Sequence, residues 1–261
     1  MGANVDPIII NGDLVLSLAA QVSRVLYDDE SYDFKYFVNV ADRSVLAKCA
    51  KANRKTLLHD FIGDVCMDGL TYTMRKHFDE EAIAEMRLWL DSLGVDYSSI
   101  KLPGADDDYQ EIEKCADEFQ RLFEEEALPT IEDAVFPILF NDKDFLFRFN
   151  SKITEQIKGL TVADYPEYLQ NDGYLNRETP PKWLKTGVFH RDGGRCQRCG
   201  TNLDAIFMSA PAENYDHIIP LRNGGTNDPT NYQLMCEHCN KSKNARSSDY
   251  KNVIWPFWNQ E

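Results

Sequence analysis

Four of the seven cysteines stand in two pairs, Cys196-x-x-Cys199 and Cys236-x-x-Cys239. Each C-x-x-C turn presents two sulfurs to one point. Together they supply four thiolates, the donor set of a tetrahedral structural zinc site. A redox dithiol would need a surrounding βαβ pattern, which is missing here. The gap of 36 residues between the pairs exceeds a simple zinc ribbon, so something else is built inside it. Tyr215-Asp216-His217-Ile218-Ile219-Pro220-Leu221 reads as a short strand, Asn223-Gly224-Gly225 as a turn, and Asn227-Asp228-Pro229-Thr230-Asn231 as a loop. Leu234-Met235-Cys236 then leads into a short helix over Glu237 to Ala245, with Asn240 directly after the last cysteine. Packing of strand on helix would bring Asp216, His217 and Asn240 to one point. A carboxylate and an amide oxygen suit a hard cation, and a neutral imidazole can take a proton from water. That is the equipment of metal-assisted hydrolysis.

Asp216-His217-Ile218-Ile219-Pro220-Leu221, Gly224-Gly225, Asn231, Leu234 and Cys236-Glu237-His238-Cys239-Asn240-Lys241-Ser242-Lys243 resemble the HNH endonuclease motif. Pro181 to Lys185 and Arg191 to Cys196 resemble the lead-in helix of members with four zinc-binding cysteines. The likeness covers residues 181–246, under a third of the chain. It implies a ββα-metal fold and divalent-metal hydrolysis of nucleic-acid phosphodiesters. Carried over residue by residue, Asp216 and Asn240 would hold the catalytic metal and His217 would be the general base. Asn231 would tie down the loop that orients His217, and Cys196, Cys199, Cys236 and Cys239 would hold zinc. Some relatives place a histidine where this chain has Asn240, and the change favours Mg²⁺ or Mn²⁺. Arg195, Arg222, Lys241, Lys243 and Arg246 are candidate phosphate contacts, to which Arg198 adds charge. His190 and His238 read as non-ligands, because four cysteines complete the zinc shell.

The elements that must position these groups differ sharply from the rest of the chain. Across 261 residues, 28 Lys and Arg face 43 Asp and Glu, a net charge of −15. Met1 to Pro180 holds 18 basic against 35 acidic residues (−17), whereas Pro181 to Glu261 holds 10 against 8 (+2). The acidic part is therefore a poor nucleic-acid binder, better suited to regulation, a protein contact or self-assembly. Apolar residues recur at helical spacing over Leu14–Leu26, Glu80–Leu93 (closed by Gly94) and Tyr109–Leu128, which Pro129 should stop. One or two more helices are expected over Phe136–Leu160. Acid clusters such as Asp106-Asp107-Asp108 and Glu124-Glu125-Glu126 read as solvated helix faces. Cys49, Cys66 and Cys115 read as small buried hydrophobes, and His59 and His77 as ordinary surface or core residues. Trp255, Phe257 and Trp258 are expected to pack onto the small zinc module or the N-terminal domain, the alternative being to stack on bases. The turn and double proline of Asp172 to Pro181 mark the boundary.

The expected architecture is mainly α. An acidic helical domain over 1–175 precedes a small ββα-metal zinc module over 176–261. The expected activity is metal-dependent cleavage of DNA, with zinc as structural and Mg²⁺ or Mn²⁺ as catalytic ion, in the manner of bacterial restriction or phage-defence nucleases. The alternatives are an RNA-cleaving nuclease, since RNA offers the same phosphate, and a non-catalytic zinc-stapled binding module. Hydrophobic residues make up 43% and charged residues 27%, the balance of a globular protein with a core. Ile8 to Ala20 is interrupted by Asn11, Gly12 and Asp13 and lacks a preceding basic residue. The chain is thus expected to be cytoplasmic, with no membrane span or secretory signal.

Overall fold

Asn11 accepts a hydrogen bond from the Asp13 amide at 2.9 Å and so starts helix α1, Gly12–Tyr27. The structure is a computed structural model that describes residues 11–28, 34–76, 80–102, 109–203 and 213–243. His77, Arg246, Asp106 to Asp108 and the tryptophans at 255 and 258 with Phe257 lie outside these residues. A short α2, Phe34–Phe37, precedes α3, Arg43–Ala50, which is capped by the Asp42 carboxylate on the Ser44 amide at 2.7 Å. Helix α4 spans Leu57–Lys76 and α5 spans Glu80–Ser92. Gly94 ends α5 as its pattern predicts, at φ 68°, while the Val95 amide reaches back to the Leu90 carbonyl at 2.9 Å.

Pro129 does not stop the next helix. Helix α6, Tyr109–Leu122, passes through a π-helical turn, Phe123–Ala127, into α7, Leu128–Asn141. The Leu128 amide bonds to the Phe123 carbonyl, and Pro129 falls in the first turn of α7, where a missing N–H costs little. Glu124 to Glu126 are exposed, as a solvated face should be. Helix α8, Lys143–Ile157, follows, capped by Asp142.

Leu169–Asn171 (β1) and Tyr174–Leu175 (β2) form a small antiparallel hairpin around Gly173, whose φ of 64° lets it approach the Lys158 backbone. Helix α9, Lys182–Arg191, then leads to a second antiparallel pair, β3 (Glu213–His217) and β4 (Tyr232–Cys236), and to α10, Glu237–Lys243. The architecture is mainly helical with a small C-terminal ββα module, as expected.

The chain divides into two units, Met1–Ser31 with His59–Leu139, and Tyr32–Leu58 with Phe140–Glu261. The boundary expected near residue 175 therefore falls inside the second unit. The first unit buries Phe61, Ile62, Met86, Leu90, Phe119 and Ile131, each contributing about 1.5–3 kcal/mol of hydrophobic free energy. Its His59 is buried and stacked on Phe136 with centroids 4.0 Å apart. In the second unit Leu184, Val188, Leu203, Tyr232, Leu234 and Met235 form a core around Cys196 and Cys239. The buried Asp192 joins α9 to β4: it accepts from the Leu234 amide at 2.7 Å and from the Arg191 guanidinium at 2.9 and 3.1 Å. No helix among the described residues is long and apolar enough to cross a membrane.

Candidate active site

The paired cysteines close into one cluster, with all four sulfurs within 4.8 Å of one another. Gly200, at φ 76°, donates its amide to the Cys196 carbonyl at 2.8 Å and shapes the first turn. In the second turn the Cys239 amide donates to the Cys236 sulfur at 3.4 Å. Zinc–thiolate bonds of about 2.3 Å at tetrahedral angles require sulfurs roughly 3.8 Å apart. Cys199 and Cys236 meet that spacing at 3.8 Å, so the donor set could hold a zinc ion. His190 and His238 are exposed and stand outside the cluster.

Strand β3 faces β4 with Asp216 opposite Gln233 and His217 opposite Tyr232. The Asn240 amide nitrogen of α10 donates to Asn214 Oδ1 at 3.2 Å, tying the helix to the strand. Asp216, His217 and Asn240 then line one cleft of about 430 Å³, joined by Tyr174, Arg177 and Arg222. The strand and the helix thus bring all three to the same cleft.

Asn231 is fully buried and clamps the loop between the strands. Its Oδ1 accepts from the Ile219 amide at 2.9 Å, and its Nδ2 donates to the Ile219 and Thr226 carbonyls at 3.0 and 2.9 Å. This crowding explains Gly225: a Cβ there would stand 1.9 Å from the Ile219 carbonyl oxygen. Asn227, read from sequence only as part of a loop, is fully buried too. Its Nδ2 donates to the carbonyls of Ala50 and Asn176, both at 2.8 Å. The amide orientation is thereby fixed, and Oδ1 faces His217 Nε2 at 3.2 Å and the Tyr232 hydroxyl at 3.3 Å. An amide oxygen only accepts, so Nε2 carries the histidine proton and Nδ1 keeps the lone pair. Burial pushes the His217 imidazole down to about 4 against the pull of Asp216, with Arg177 and Lys243 adding to the push. His217 is therefore neutral at neutral pH.

A strand pair, a clamped loop, a helix and a four-cysteine cluster thus make up the C-terminal module. Residues 196–246 match the HNH endonuclease family model. The chain carries an HNH endonuclease domain, which supports a nuclease in general. No curated protein and no solved structure matches the chain.

Within the HNH module the candidate phosphate contacts separate. Arg222 lines the cleft. Arg195 sits at the first cysteine turn and donates to the Gly200 carbonyl at 3.2 Å, and Arg198 bonds Ser242 at 2.7 Å. Lys241 is exposed and paired with Glu237. Lys243 lines the cleft but is spent on the fold. It is only 8% exposed, and its ammonium donates to Asp216 Oδ2 at 2.7 Å and to the Ile218 carbonyl at 3.1 Å, with a further bond to the His217 carbonyl. Its ammonium is thus occupied within the module. The oxygens Asp216 Oδ1 and Asn240 Oδ1 have no protein partner among the described residues. These two hard donors fit a Mg²⁺-like cation. Tyr174 and Arg177 of the cleft wall, and Asn227 behind His217, were not singled out by the sequence reading, and none carries a motif signal.

Proposed function

We propose that the chain is a metal-dependent endonuclease hydrolysing phosphodiester bonds of DNA. The carrying observation is the single cleft that gathers Asp216, His217 and Asn240 inside a module matching the HNH family. Asp216 and Asn240 would hold Mg²⁺ or Mn²⁺, which when bound lowers the charge on the phosphate and helps the alkoxide leave. His217, neutral and held by Asn227, takes the proton of the attacking water on Nδ1. Arg222 contacts the backbone phosphate at the cleft wall. The four cysteines hold one zinc ion that keeps α10, and hence Asn240, against β3. A place in bacterial restriction or phage defence rests on family analogy. Purified protein incubated with plasmid, linear DNA, single-stranded DNA and RNA, under Mg²⁺, Mn²⁺ or chelator, tests the reading. Metal-dependent nicking of DNA is expected. Cleavage of RNA alone would move the substrate, and no cleavage of any substrate would refute the nuclease.

A further inference from the structure

The cleft is completed by chain outside the matched residues. Tyr174 of β2 and Arg177, just past the β1–β2 hairpin, line it, about twenty residues before the first zinc cysteine. That segment is anchored. Leu175 is fully buried, the Asn176 amide donates to the Tyr168 carbonyl at 2.8 Å, and the Asn176 side chain reaches the Glu167 carbonyl at 3.2 Å. The Asn176 carbonyl accepts from Asn227 Nδ2 at 2.8 Å, and the same Asn227 holds His217 through its Oδ1. One buried amide thus fixes the imidazole and the backbone next to Arg177. The guanidinium has no hydrogen-bond or ion-pair partner among the described residues. The carboxylate that shares its cleft, Asp216, already carries the ammonium of Lys243.

We infer that Arg177 is a further catalytic residue, its guanidinium binding the non-bridging oxygens of the phosphate being cut; this rests on the nuclease reading above. Attack by water on a phosphodiester builds negative charge on those oxygens as the new P–O bond forms and the old one breaks. A permanently charged planar fork answers that charge with two parallel N–H donors, which an ammonium cannot do. Sharing one cleft with Asp216 and Asn240, it adds a fixed positive charge beside the phosphate, with His217 on the water. Arg222 shares the cleft wall, but it belongs to the matched motif region, whereas Arg177 is supplied by the preceding chain.

The test uses full-length protein carrying Arg177→Ala or Arg177→Lys, with zinc content and circular dichroism as folding controls. Because the side chain is exposed, both variants should fold as wild type. Single-turnover cleavage of a DNA duplex is measured at saturating protein with Mn²⁺, and affinity for the same duplex is measured in chelator. Arg177→Ala should slow the saturated step about 10²-fold, the size of a lost transition-state donor, while affinity falls only a few-fold. Arg177→Lys should recover part of the rate. A wild-type saturated rate in Arg177→Ala overturns the inference and leaves the nuclease reading standing, even if affinity drops, because the arginine then only steers DNA. Wild-type protein that cuts nothing with any metal overturns both.

Discussion

Asn227 places its side-chain nitrogen 2.8 Å from the carbonyl oxygen of Ala50, 177 residues earlier in the chain. Its oxygen is 3.2 Å from His217 Nε2, so the proposed base is steered by the end of α3. Asn227→Ala should release the imidazole and slow DNA cleavage about 10-fold to 10²-fold. Removal of the base itself typically costs about 10²–10⁴-fold. Asn227→Asp keeps the acceptor and loses both donors, and should fall between. Single-turnover rates check this, and a wild-type rate in Asn227→Ala would remove the positioning role.

The same contacts decide how the module can be cut out. The Asn227 amide donates to the Cys49 carbonyl at 2.7 Å, Asp228 Oδ2 accepts from the Leu57 amide at 3.0 Å, and Asn150 Nδ2 bonds Thr230 at 3.2 Å. A fragment of residues 176–261 strands these buried groups at about 1–3 kcal/mol each. It should lack a folded core by proton NMR, while the full chain has one. A dispersed, zinc-loaded spectrum from the fragment would contradict this.

What could be read in the sequence was local. Cys196-x-x-Cys199 and Cys236-x-x-Cys239, a strand through Asp216 and His217 and the helix bearing Asn240 each announce themselves within a few residues, although the strand stops at His217 rather than running on to Leu221. Helices α1, α5 and α6 of the first unit were legible by period, and Gly94 by its position, whereas α4, Leu57–Lys76, was not read. Pro129 misled because proline in a first turn and proline past a last turn look alike in sequence. Asn227, Arg177 and the membership of α3 and α8 in the second unit were hidden for another reason. Their meaning lies in contacts spanning tens to hundreds of residues. Lys243 looked like any lysine of a basic helix, and only its burial against Asp216 shows its use.

Lys243→Met tests that use. It removes the cation from Asp216 and the donor from two carbonyls, leaving a carboxylate that is 18% exposed unpaired. A loss of about 3 kcal/mol is expected, as for a broken buried pair. Urea denaturation followed by tyrosine and tryptophan fluorescence reads it. Unchanged stability with weakened duplex binding would return Lys243 to the phosphate contacts.

Zinc removal should separate the two metals. One zinc per chain is expected by elemental analysis, and Cys196→Ala or Cys239→Ala should lose it together with the fold of the ββα module. The helices of the first unit should keep much of their circular dichroism. Metal-free protein with an intact module would contradict the assignment.

The most direct measurement is single-turnover cleavage of duplex DNA by wild type and by His217→Ala, with Mg²⁺ or Mn²⁺ and with chelator, at matched zinc content. The account predicts metal-dependent cutting by wild type and a loss of about 10²–10⁴-fold in His217→Ala with zinc and helicity unchanged. Equal rates in the two proteins, or cutting that survives the chelator, would contradict it.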